Sequence, residues 1–339
     1  MHRRTFLVAS LAGVSATLLS YTREPSSACE PMGEIVRLDP RMDTLLGQDA
    51  RLDKIAGGFD WAEGPVWQAS ENRLLFSDIP KNMVWQWSPD KGLSAFLKPS
   101  GYTGDKKRGG EAGCNGLAFN PEGKLVLCQH GDRRIAMLED DGRSFMTLAD
   151  KYEGKRFNSP NDLAYHSGGD LYFTDPPYGL EKGPDDPARE LDFCGVFRLG
   201  RDGKVTLLTK DLTRPNGIAF SPDEKTLYVA NSDPKRAYWM AYPVKQDGTL
   251  GEGRIFLDVT KELPRMKGLP DGLKVDVSGN LFATGPGGVW VVTAGAEVLG
   301  RIDPGCATAN CGFGEDGSTL FLTADKSLCR VRTKTRGWK

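Results

Sequence analysis

One unit recurs six times along this 339-residue chain, and its period constrains the fold more than any other feature. The unit opens with a residue bearing a side-chain oxygen, then Gly or another residue, then an apolar strand. A turn follows, and a second strand begins with Leu. The openings are Glu63-Gly64-Pro65-Val66, Asn115-Gly116-Leu117-Ala118, Asn161-Asp162-Leu163-Ala164, Asn216-Gly217-Ile218-Ala219, Asp271-Gly272-Leu273-Lys274 and Asn310-Cys311-Gly312-Phe313. Leu74, Leu125, Leu171, Leu227, Leu281 and Leu320 start the second strands, at offsets of 11, 10, 10, 11, 10 and 10 residues. Successive openings lie 52, 46, 55, 55 and 39 residues apart, the length of four short strands with their turns. That period belongs to the blade of a β-propeller. Turn residues stand between the strands, as in Pro121-Glu122-Gly123 and Ser278-Gly279-Asn280. The expected fold is therefore all-β, a six-bladed β-propeller over residues 51–339.

The last unit is one strand short, because only eight residues follow Val331. An open strand edge invites aggregation and needs a partner. Residues 51–56 are available, so an N-terminal strand is expected to close the ring by joining the last blade. Residues 29–50 then form an N-terminal extension. Residues 1–28 read as an export signal. Arg3-Arg4-Thr5-Phe6-Leu7 opens a short apolar run to Leu19, and Ser26-Ser27-Ala28 offers a cleavage site. The paired arginines point to the twin-arginine route and a periplasmic or secreted product.

Charge excludes some partners. With 44 basic and 45 acidic residues and no basic stripe, neither nucleic acid nor, after export, a membrane is implied. The period itself says nothing of oligomeric state. Seven cysteines without disulfide-dense spacing read mainly as buried small apolar residues, although Cys306 and Cys311 are near enough to close a loop.

In a propeller the first strand of each blade lines the central channel, so equivalent positions meet around the axis. Those positions are Glu63, Asn115, Asn161, Asn216, Asp271 and Asn310, all with side-chain oxygens and two with carboxylates. A dry ring of such oxygens is costly without a partner. Hard oxygen donors with two negative charges suit Ca²⁺, with Mg²⁺ or Mn²⁺ next; Zn²⁺ is a weaker substitute, since the ring has no Cys or His. Glu63 and Asp271 rank first as ligands, then Asn216 and Asn161. Asn115 suits metal or substrate. The second strands end at Asp78, His130, Asp175, Asn231, Gly285 and Asp325, placed for a surrounding layer or a mouth. His130 is a candidate catalyst, and Asp175 and Tyr178 are candidate substrate contacts. The insert carrying Tyr178 and the Gly-rich stretch 101–113 are candidates to cover the mouth.

Glu63-Gly64-Pro65-Val66-Trp67, Ser159-Pro160-Asn161-Asp162-Leu163, Arg214-Pro215-Asn216-Gly217-Ile218 and Leu269-Pro270-Asp271-Gly272-Leu273 resemble the gluconolactonase/regucalcin (senescence marker protein) family of metal-dependent lactonases. The resemblance runs from about residue 56 to about 323. It implies a six-bladed propeller and metal ligands at Glu63, Asn216 and Asp271, joined in some members by Asn161. Asp271 also matches the residue credited as general base. The implied substrate is a small sugar lactone. One position departs: regucalcin-like members carry Arg where this chain has Ser159, so substrate recognition is expected to differ. Two rivals share the metal site, a phosphotriester or other ester hydrolase and a non-catalytic propeller pinned by Ca²⁺.

Overall fold

The computed structural model describes residues 30–338. The export signal read in residues 1–28 lies outside the described residues. Six antiparallel sheets follow one another along the chain, each with its first strand innermost. The inner strands are Ala62–Gln68, Cys114–Phe119, Leu163–Tyr165, Pro215–Phe220, Leu273–Val275 and Asn310–Gly314, and define blades I to VI. Second strands such as Leu125–Gln129, Leu171–Asp175 and Leu281–Gly285 are buried along their whole length. They read as continuous apolar runs because both faces pack against neighbouring blades. Between blades II and III, for example, Val126, Cys128, Phe157, Phe173 and Phe197 share one cluster.

Closure follows the expectation. Asp53–Gly57 pairs antiparallel with Ser327–Arg332, the last strand of blade VI, with Ser327 opposite Gly57 and Arg330 opposite Asp53. The extension adds something the repeat did not announce. Glu34–Arg37 pairs with Val298–Asp303 as a fifth strand of blade V, and Met42–Leu45 forms a single helical turn beside it. Met42, Leu46 and Leu52 are buried with Phe282, Leu299, Cys311 and Leu322, so the extension spans the seam between blades V and VI. The C-terminal residues cross the same seam, with Trp338 N donating to Val275 O at 2.8 Å. Among the described residues every cysteine is free; Cys311 is buried and donates from Sγ to Phe282 O at 3.2 Å.

Glycine follows four of the six ring positions, Asp162 and Cys311 following the other two, and that glycine has a packing reason. A Cβ on Gly64, which sits at φ +51°, would run into the carbonyl oxygen of Asn115 on the next blade. At Gly217 it would run into the carbonyl of Asp271. The inner strands converge so closely that the neighbouring backbone occupies the Cβ position. Blade III breaks the pattern with Asp162, a buried carboxyl pushed upward by burial and opposed by Lys274.

Candidate active site

Five of the six ring positions meet in one cavity of about 340 Å³. Glu63, Asn115, Asn161, Asn216 and Asp271 all line it, from five different blades. Their backbones are set by two devices that repeat around the axis. A residue at or near the end of a second strand accepts hydrogen bonds from the segment just before the ring residue of its own blade. Asp78 accepts from the amides of Asp60 at 3.1 Å and Trp61 at 3.3 Å. Asp175 accepts from Asn158 and Ser159, both at 2.7 Å, and Asn231 from Arg214 at 2.9 Å. The second device is a hydroxyl reaching the next blade: Ser77 donates to Asn115 O and Thr174 to Asn216 O, both at 2.7 Å. Register shifts beside Glu63, Asn115 and Asn216 then turn these side chains inward.

The side chains fit a hard cation. Oδ1 of Asn115, Asn161 and Asp271 are buried without a hydrogen-bond partner. Such orphans are costly unless something accepts their lone pairs. Burial raises both ring carboxyls, and neighbouring acids add to it: Asp271, beside Glu63, stands well above its ordinary value, and Glu63, near Asp162 and Glu111, rises from 4.5 to about 8. The Gly64 amide donates to Glu63 Oε2 at 2.9 Å and Asn310 Nδ2 at 3.1 Å, which offsets part of that rise. Asn310 is thereby spent on Glu63 and on Cys311 N, and it does not line the cavity. Among the described residues no three Asp, Glu, His or Cys side chains gather as a metal site. The donor set is two carboxylates surrounded by amide oxygens, the composition of an oxygen-ligand site.

These carboxyls make cation binding depend on pH in a definite sense. Their charged forms are disfavoured in the metal-free fold, so its stability should fall as pH climbs from about 4.5 towards 8. A dication held by this pair would bind its deprotonated form and expel protons. Calorimetric Ca²⁺ titrations should show proton release near neutral pH and an affinity rising by up to about tenfold per pH unit. An affinity indifferent to pH across that range would contradict ligation by Glu63 and Asp271.

The remaining expected residues divide. Tyr178 lines the cavity, its hydroxyl donating to Ser232 O at 3.2 Å, and burial raises its phenol. His130 and Asp175 do not line it. Asp175 is buried beneath, both oxygens taken by backbone amides as described, and its carboxyl is pushed up to about 7 by burial. His130 is fully buried behind Asn161. Residues outside the repeat complete the lining: Trp61, Glu111, Arg214 and Thr308. Glu111 comes from the stretch 101–113 and is the residue of that stretch that lines the cavity. Arg214 brings a cationic, half-buried side chain to the cavity. Ser159, the position of the departure, serves the wall. Its hydroxyl donates to Pro176 O at 2.6 Å and accepts from Gly179 N at 2.8 Å, fixing the turn that carries Tyr178.

A family profile described as SMP-30/Gluconolactonase/LRE-like region matches residues 61–326, all six inner strands. The chain belongs to that family. A gluconolactonase of Zymomonas mobilis is 43% identical over 312 residues, 90% of this chain and 88% of that one. The crystal structure of a gluconolactonase from Xanthomonas campestris superposes with a TM-score of 0.79 at 32% identity, covering 91% of this chain and 99% of that one. A calcium-binding regucalcin from Agrobacterium tumefaciens shares the fold, with a TM-score of 0.63 at 19% identity over 83% of this chain and 95% of that one. The resemblance carried by the four motifs thus holds, and so does the six-bladed ring.

Proposed function

We propose that this cavity hydrolyses a sugar lactone such as glucono-1,5-lactone to its aldonic acid, with Ca²⁺ held by Glu63, Asn161, Asn216 and Asp271. The observation that carries the reading is the set of orphaned oxygens on or just before the inner strands, in one cavity, in a chain 43% identical to a gluconolactonase. Bound there, a dication supplies Lewis-acid polarisation of the lactone carbonyl. Asp271 takes a proton from the attacking water. Water oxygen bonds to the carbonyl carbon, the ring C–O bond breaks, and the departing alkoxide recovers a proton. The walls from 101–113 and from the Tyr178 turn confine the substrate over the ring and keep bulk water away. Asn115, with its free Oδ1, faces the same space and is assigned to substrate. The twin-arginine signal read in residues 1–28 supports action in the periplasm or outside the cell.

A pH-stat screen of lactones, with Ca²⁺, Mg²⁺, Mn²⁺ and Zn²⁺ each added to chelator-stripped protein, tests this reading. Sugar lactones should be opened fastest with Ca²⁺ and barely at all with chelator. Metal-dependent thermal stability without turnover of any lactone would favour the binding propeller, and turnover of a phosphotriester in preference to lactones would favour the other hydrolase.

A further inference from the structure

His130 touches no part of the cavity, yet each of its ring nitrogens faces a residue that does. Nε2 lies 3.5 Å from Asn161 Nδ2. Nδ1 lies 3.0 Å from Glu111 Oε2, within ion-pair range though not aligned as a hydrogen bond. The imidazole is sealed in place: a Cβ on Gly179 would come within 2.6 Å of His130 Cβ. Arg108, on the same stretch as Glu111, donates from its guanidinium to the carbonyls of Gly131 and Gly179. The wall, the Tyr178 turn and the ring strand of blade III therefore meet around this one side chain.

We infer that His130 is a positioning residue that couples the cavity wall to the ring, turning the Asn161 oxygen inward with one nitrogen and holding the Glu111 carboxylate with the other. This rests on the cation-binding reading of the ring given above. For a neutral imidazole, donor and acceptor types leave one consistent arrangement. An amide nitrogen only donates, so Nε2 accepts from Asn161 and Nδ1 carries the hydrogen, its positive end facing the Glu111 carboxylate at 3.0 Å. Flipping the Asn161 amide would put its oxygen against Nε2 and move the hydrogen there. The lone pair of Nδ1 would then face a carboxylate, which is repulsive. The favoured arrangement leaves Asn161 Oδ1 free toward the cavity, where it has no protein partner. A residue that orients a metal ligand through its side chain typically changes affinity by 10–100-fold when removed.

The test is Ca²⁺ titration calorimetry on the full chain, without substrate, for His130→Phe, His130→Gln, Glu111→Ala and Glu111→Gln. His130→Phe should bind at least about tenfold more weakly. His130→Gln should stay within about threefold of the parent, because a carboxamide both accepts from Asn161 and donates to Glu111. Should the buried Phe variant fail to fold, the partly exposed Glu111 pair decides. Both variants remove the same charge, but only Gln keeps an acceptor for Nδ1, so Glu111→Ala should bind several-fold more weakly than Glu111→Gln. Equal affinities within either pair would overturn the coupling while leaving the ring intact. A parent chain that binds none of the four cations would overturn the ring reading and this inference together.

Discussion

Asp271→Asn should lower lactone turnover by roughly 10²–10⁴ with Ca²⁺ held saturating, the range for loss of a general base. The substitution keeps an oxygen and the side-chain shape. It should fold normally, since Asp271 is held through its backbone, its amide donating to Thr284 O at 3.0 Å. What it removes is one of two ring charges and the basicity. Metal affinity should fall as well, so the comparison must be made at saturation. A second consequence has the opposite sign. In the metal-free fold burial raises Asp271 first, and the neighbouring charge of Glu63 raises it further by repulsion. Removing one carboxyl relieves that repulsion, so the metal-free Asp271→Asn chain should melt higher than its parent at pH 8, while gaining less from added Ca²⁺. Function here would be bought with stability. His130→Asn, measured alongside, should cost much less turnover, since His130 lies behind the ring. Full activity of the Asp271 variant at saturating Ca²⁺, with a dead His130 variant, would exchange the two roles.

A chain beginning at residue 58 should fail to form a soluble monomer, whereas one beginning at residue 30 should form it. Two losses combine in the shorter chain. The strand Asp53–Gly57 no longer covers Ser327–Arg332, which leaves the edge of blade VI exposed to other chains. Met42, Leu45, Leu46 and Leu52 also leave the seam between blades V and VI. At about 1.5–3 kcal/mol for each buried side chain, the four are worth roughly 6–12 kcal/mol. That is the size of the whole net stability of an ordinary domain, about 5–15 kcal/mol. Size-exclusion chromatography and thermal melting of the two chains would decide. A monomer that melts at the parent temperature would show that the ring holds without its closing strand.

How much of this was legible beforehand follows from what is periodic. The six openings repeat at a blade's length, and rotational repetition brings equivalent residues to one axis whatever their neighbours are. Glu63, Asn115, Asn161, Asn216 and Asp271 could therefore be placed together from spacing alone, and the cavity contains all five. The missing strand of blade VI was legible for the same reason, because a repeat with a vacancy calls for a filler. Glu111, Arg214, Trp61 and Thr308 stand outside the repeated ring positions. The wall that brings Glu111 to the mouth is held by Arg108 reaching Gly179, 71 residues away, and no local pattern encodes such a contact. The strand Glu34–Arg37 was equally silent, since its partner Val298–Asp303 is an edge that any extended segment of suitable reach could cover. His130 and Asp175 show the remaining limit. Their place in the repeat marked them as near the ring, but their roles depended on which neighbours claimed their polar atoms. Two backbone amides claimed Asp175, and Asn161 and Glu111 flank His130. Periodicity thus determined the ring and its oxygens, because symmetry needs no long-range information. The wall, the seam and the direction of each hydrogen bond were decided only by tertiary packing, where residues remote in the chain compete for the same atoms.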